Sequence, residues 1–305
     1  MSFPLFTIIT TVMWGVAELF YKKGAREDEK YAHLKISICV GVVMGIHALF
    51  TILFRGINYD LMNLLIYLPV SACYILSMTL SYFGMRFVAE SISDPIENTS
   101  GAICSLLCVA FLGAELSGWS YLAIAAIVCG ILGLGFLEKN ANELRKQKLG
   151  KKMAVVAFAM PFCYAIIDAL GSFLDAFYLD EVDSSPLVNI TEDTMEEVAN
   201  TSYELTFFIV AVVLFIFLKV KRVKFELPKQ GDKIAAAVCE TAGQFTYVYA
   251  MSDNAAVAAP IFSCSVVISV LLSKIFLKEK ITWKQYIFIA IAIIGVIVLS
   301  ALNPD

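Results

Sequence analysis

Apolar and polar residues alternate along this chain in long blocks rather than at the short spacing of a soluble amphipathic fold. Ten apolar runs stand out, near residues 3–21, 36–54, 61–84, 88–113, 119–137, 152–176, 203–219, 233–251, 255–276 and 284–302. A hydrocarbon core about 30 Å thick takes roughly 20 apolar residues per helix, within a range of about 17–25. In hydrocarbon each backbone N–H and C=O must find its partner inside the protein, which makes the helix the natural form for an isolated apolar run. The pattern predicts an all-α integral membrane protein of ten transmembrane helices. The hinges between runs are short apart from two longer charged loops, so no sizeable soluble domain is left over.

Composition agrees. The 305 residues are 59% hydrophobic and 16% charged, against about 25% charged in soluble domains, and mean hydropathy is +0.78. The net charge of −4 says less than where the charges fall. Every Lys and Arg except Arg55 lies in alternate connections: Lys22, Lys23, Arg26, Lys30 and Lys35 in the first, Arg86 in the third, residues 139–152 in the fifth, 219–233 in the seventh and 274–284 in the ninth. Basic residues are retained in the cytoplasm, so both termini are expected outside the cell membrane. The outer loop near 177–202 holds Asp180, Glu181, Asp183, Glu192, Asp193, Glu196 and Glu197 and no base. The basic cluster follows the first apolar run, which reads as an inserted helix and not a cleavable signal peptide. All eight cysteines lie in apolar runs and read as small hydrophobes, and His33 and His47 are too few for a metal centre. Neither cofactor nor metal is expected.

The two halves of the chain echo each other. Phe111-Leu112 with Glu115 and Trp119 matches Phe276-Leu277 with Glu279 and Trp283, and Pro95-Ile96 matches Pro260-Ile261. Thirteen residues before each proline stand Ser81-Tyr82 and Thr246-Tyr247, and Trp14-Gly15 with Glu18 corresponds to Tyr164-Ala165 with Asp168. Five helices per half is an odd number, so the second copy is inverted relative to the first, an arrangement with a solute site near the midplane between repeats. The expected units are residues 1–137, a cytoplasmic linker over 138–151, and residues 152–305 with the acidic loop inside the second unit. On these motifs the chain resembles the EamA-type members of the drug/metabolite transporter superfamily. That resemblance implies alternating-access secondary transport of metabolites, amino acids or drug-like solutes.

Ionisable groups cost roughly 2.5–3.5 kcal/mol each at a helix centre, so those present tend to face a cavity or a partner. The central parts of the runs contain acids and no bases: Glu18, Asp94, Glu97, Asp168 and Glu240, with Asp175 and Glu204 nearer the outer ends. Thr7, Thr11, Trp14, Glu18 and Tyr21 recur at spacings of three and four and share one helix face, as do Pro161, Tyr164, Asp168, Ser172 and Asp175. Glu240, Gln244 and Tyr247 make a third such stripe. Aromatic faces attract cations and a carboxylate supplies the opposite charge. The expected substrate-binding set is Trp14, Glu18, Tyr21, Tyr82, Glu97, Tyr164, Asp168, Glu240, Gln244 and Tyr247, around a solute that is an organic cation or amine. Glu18 and Asp168 are candidates for H⁺ or Na⁺ coupling. The alternative for each acid is a structural bond to a facing hydroxyl, and Asp94 and Glu97 have the further alternatives of capping a helix or pairing with Arg86. Glu115 and Glu279 read as structural.

A zwitterionic amino acid is the second substrate class, since helix ends can hold its carboxylate. A membrane-embedded enzyme would need a nucleophile and base or a metal cluster, and none of the motifs that supply them is present. A flippase or a phosphate-ester carrier would need intramembrane bases. The stretch Gly130 to Gly135 permits close helix packing, either within the bundle or between two copies, so a monomer and a homodimer are both open.

Overall fold

The computed structural model of the chain describes residues 3–25, 29, 31–84, 90–138, 151–276, 278 and 281–303, with backbone alone for 90–93, 138 and 151–158. Arg26, Lys30, Arg86, Glu279, Lys280 and most of the 138–151 linker lie outside the described residues.

All regular structure among those residues is helical. In chain order the helices are α1 (Phe3–Gly24), α2 (Ala32–Phe54), α3 (Met62–Ile66), α4 (Leu68–Gly84), α5 (Glu90–Glu97), α6 (Ser100–Phe111), α7 (Gly118–Glu138), α8 (Lys151–Tyr178), α9 (Met195–Val220), α10 (Gly231–Phe262), α11 (Ser265–Phe276) and α12 (Trp283–Leu302). A 3-10 turn, Leu227–Gln230, precedes α10.

Each of the ten apolar runs is helical, but not each is one helix. Six are long and apolar enough by themselves to cross a membrane: α1, α2, α7, residues 159–178 of α8, α9 and α12. The α10 and α11 segments form a seventh as a pair bent by 44°. The 61–84 run breaks at Tyr67 between α3 and α4. Pro69 stands just beyond, where its ring would collide with the carbonyl four residues back in a continuous helix. The 88–113 run breaks at Asn98–Thr99. There Asn98 Nδ2 donates to the Asp94 carbonyl at 2.9 Å and Thr99 Oγ1 to that of Ile96 at 2.7 Å, so side chains compete for the ladder's acceptors. The 233–251 and 255–276 runs meet inside α10 at Asn254, whose backbone is extended (φ −159°, ψ 82°). Its Oδ1 accepts from Val257 N at 3.2 Å and so caps the rod that follows.

Two boundaries move from their sequence positions. The helix expected from 203 begins at Met195, with Glu196 and Glu197 in its first turn, where the free N–H groups favour acids. The last eight residues of the acidic loop are therefore helix. Lys35 and Lys233, assigned by sequence to connections, are in helices and only 7% and 2% exposed. Both donate to Glu29, Lys233 at 3.0 Å.

The bundle buries many hydroxyls alongside its apolar core and is apolar on the outside. Thr10, Ser71, Ser77, Ser105 and Thr206 are buried, while Ile8, Ile46, Leu53, Phe54, Val213, Ile294 and Ile297 face outward. That reverses the soluble pattern and suits a lipid surround. Helix α1 packs on α10 and α11, α8 on α4 and α6, α2 on α9, and α7 on α12. Gly130 and Gly133 lie against Phe288 and Ala292 of α12, so the small-residue stretch serves packing within the bundle. Helix α6 crosses the end of α10 at Gly101, where a Cβ would stand 2.2 Å from the Ala259 carbonyl oxygen. Ser105 Oγ donates to the Ala256 carbonyl at 2.6 Å in the same crossing.

Candidate functional site

The α5–α6 and α10–α11 breaks and the acid-bearing faces meet at one cavity of about 160 Å³. For scale, a cavity of about 150 Å³ holds a benzene molecule. All ten residues singled out from the sequence line it. Helix α1 supplies Trp14, Glu18 and Tyr21; α4 supplies Tyr82; α5 supplies Glu97; α8 supplies Tyr164 and Asp168; and α10 supplies Glu240, Gln244 and Tyr247.

Close packing fixes the aromatic wall. Trp14 rests on Gly243, where a Cβ would come within 2.5 Å of the indole ring. Its ring centroid lies 5.2 Å from that of Tyr247 and 5.6 Å from that of Phe262. Tyr247 in turn meets the Tyr74 hydroxyl at 2.5 Å, and Tyr74 donates to Ser172 Oγ at 3.0 Å. Across the cavity Tyr21 and Tyr82 stand 5.3 Å apart. The Tyr82 side chain is 5% exposed and its hydroxyl has no hydrogen-bond partner.

The acids are served by hydroxyls. Ser265 donates to Glu18 Oε1 at 2.8 Å, Ser77 to Asp168 Oδ1 at 3.2 Å, and Ser81 to Glu97 Oε2 at 2.7 Å. Tyr21 reaches Glu240 Oε2 at 3.4 Å. The other oxygen of Glu18 and the indole N–H of Trp14 have no partner. Asp94 lines the cavity too, which makes five carboxylates, and no Lys, Arg or His lines it among the described residues. A carboxylate has about four acceptor positions, and one oxygen of Glu18 keeps its positions unused beside the space the acids enclose.

The other two acids have different surroundings. Asp175, 0% exposed, accepts from the Tyr67 hydroxyl. Glu204, also 0% exposed, accepts from His47 Nδ1 at 2.8 Å and from Asn200 Nδ2 at 3.0 Å. Neither lines the cavity.

Sequence reasoning missed Tyr74, Tyr203, Ser100 and Ser265, which also line it. Ser100 and Ser265 were legible in principle: each stands five residues after the proline of its half and opens the helix beyond the break.

Fold and cavity together define a multi-pass helical membrane protein with a solute-sized acidic site. Residues 199–301 match the EamA-like transporter family. The match covers about a third of the chain, within its second half, and the family it is similar to belongs to the drug/metabolite transporter superfamily. A solved structure described only as "Crystal structure of protein" superposes with a TM-score of 0.74 at 11% identity, covering 99% of this chain and 98% of that one. At that identity the likeness shows the fold alone. No curated protein sequence matches the chain.

Proposed function

We propose that the chain is a secondary transporter that carries a small organic cation or amine by alternating access through this cavity. The observation that carries the reading is the lining itself: five carboxylates, a wall of aromatic rings and, among the described residues, no base. A cation entering it exchanges water for ring faces, about 0.5–2 kcal/mol each, and for charge-assisted bonds to carboxylate oxygens.

Ten spans in two inverted halves, residues 1–137 and 152–305, fit the packing. Exchanging each helix for its counterpart in the other half turns the α1–α10 contact into α8–α4 and the α1–α11 contact into α8–α6. The α2–α9 and α7–α12 contacts map onto themselves. The breaks also correspond, since Asn98–Thr99 and Ser263–Cys264 lie at the same distance after Pro95 and Pro260. In this reading both termini are outside the cell membrane and Glu18 and Asp168 take part in H⁺ or Na⁺ coupling.

A second reading, a zwitterionic amino acid, is favoured by the same breaks. They bring Ser100 and Ser265, the first residues of α6 and α11, to the cavity, and a helix start can hold a carboxylate. Thermal melting of the purified protein against organic cations and amino acids, with Glu18→Gln and Asp168→Asn alongside, separates the two. Stabilisation by cations that is lost in either variant supports the first reading, and those cations then go into liposome flux. Stabilisation by amino acids alone, unchanged in the variants, refutes it.

A further inference from the structure

Resting on the cation reading, we infer that the solute is a dication, a short linear diamine whose two ammonium groups are read at two separate stations, one around Glu18 and one around Asp168. The stations are alike in construction. Glu18, on α1, receives its hydrogen bond from Ser265, at the start of α11. Asp168, on α8, is hydrogen-bonded by Ser77 at 3.2 Å and faces Ser100, at the start of α6. Each acid thus comes from one half of the chain and is hydrogen-bonded by a serine of the other half, Ser265 for Glu18 and Ser77 for Asp168, with Ser100 of the broken helix beside the latter in the lining.

The stations occupy different walls, since α1 packs with α10 and α11 whereas α8 packs with α4 and α6. Both open on the same 160 Å³ space. Glu240 lines the same space, close enough to feel the charge of both. A monocation meets one station and leaves the other carboxylate without an ammonium partner inside a space that no base lines among the described residues. An alkyl chain with an ammonium at each end meets both, and its methylenes lie along the Trp14 and Tyr247 rings. The partnerless Glu18 oxygen and the partnerless hydroxyl of the buried Tyr82 are acceptors for the N–H groups such a solute brings. Ser100 and Ser265 act through the acids as positioning residues.

The test compares putrescine and cadaverine with n-butylamine and n-pentylamine, by calorimetric titration of the purified full-length chain. Diamines are expected to bind at least about tenfold more tightly than monoamines of equal chain length, the effect of about one charge-assisted bond. Glu18→Gln and Asp168→Asn should each bring the diamine down to monoamine affinity. Should either variant fail to fold, Ser265→Ala and Ser100→Ala keep both acids and should weaken diamine binding more than monoamine binding, while Ser265→Thr, which keeps the hydroxyl, restores it. Equal binding of mono- and diamines overturns the dication inference and leaves the cation reading standing. A diamine preference that survives in both acid variants also overturns it. Binding of amino acids and of no amine removes both.

Discussion

Adding one methyl group at Gly101 tests the crossing on which both broken helices depend. A Cβ built there stands 2.2 Å from the Ala259 carbonyl oxygen, 2.4 Å from Ser263 Oγ and 2.7 Å from the Ala259 carbonyl carbon. Ordinary contact begins near 3.4 Å, so the oxygen must retreat by about 3.4 − 2.2 = 1.2 Å. Ser263 can rotate away. The Ala259 carbonyl cannot, because it belongs to the rod that Asn254 caps and is followed by Pro260. Overpacking of this kind costs about 1–3 kcal/mol, and contact with backbone at two points places Gly101→Ala at the upper end. Gly118→Ala is the control, since nothing lies within 4 Å of a Cβ at that position. The assay is thermal unfolding of the purified protein in one detergent, with the diamine titration repeated on each variant. Gly101→Ala is expected to melt several degrees lower and to bind more weakly, because Ser100 and Ser263 move with the crossing. A Gly101→Ala protein as stable and as competent as Gly118→Ala would falsify the close approach of α6 and α10.

Two further predictions concern groups away from the cavity. His47→Leu leaves Glu204, 0% exposed, with Asn200 as its remaining donor among the described residues. Leaving a buried acceptor short of a donor costs about 1–3 kcal/mol, and the double variant His47→Leu with Glu204→Leu should recover most of it in the same melting assay; a stable single variant shows that Glu204 does not need the His47 donor. The Glu29 carboxyl, where burial pushes upward but the hydrogen bonds from Lys35 and Lys233 prevail, sits below the ordinary value of 4.5. Its contribution is therefore present above pH 4.5 and lost as pH falls through the lower folded value. Melting temperature should fall over that acidic window less steeply in Glu29→Gln than in wild type, and identical pH profiles would refute the clamp.

Helical periodicity was enough to assemble the site because charge in an apolar run has few places to go. Glu18 and Asp168 each sit on a face marked by aromatics at spacings of three and four, and those faces do turn to the cavity. Tyr203 escaped notice because α9 begins eight residues earlier than its apolar run, so it looked like a span end and not a wall. Serines carry no charge, and only their shared offset from Pro95 and Pro260 sets Ser100 and Ser265 apart. The breaks depend on single local contacts, Asn98 to the Asp94 carbonyl and Asn254 to the Val257 N–H, which hydropathy does not register. The burial of Lys35 and Lys233 is a tertiary outcome of one shared carboxylate, Glu29, and no run of the sequence announces it.

The hydrogen bond from Ser265 to Glu18 and the facing pair of Ser100 and Asp168 span the two halves of the chain. Neither half contains a finished recognition element, since each holds an acid without its serine and a serine without its acid. On the amine reading proposed above, a gene cut between residues 138 and 151 would encode two fragments that are inert alone and regain binding only when made together. In such a split protein ligand affinity and fragment association must strengthen one another, so a bound diamine would act as the glue between the pieces.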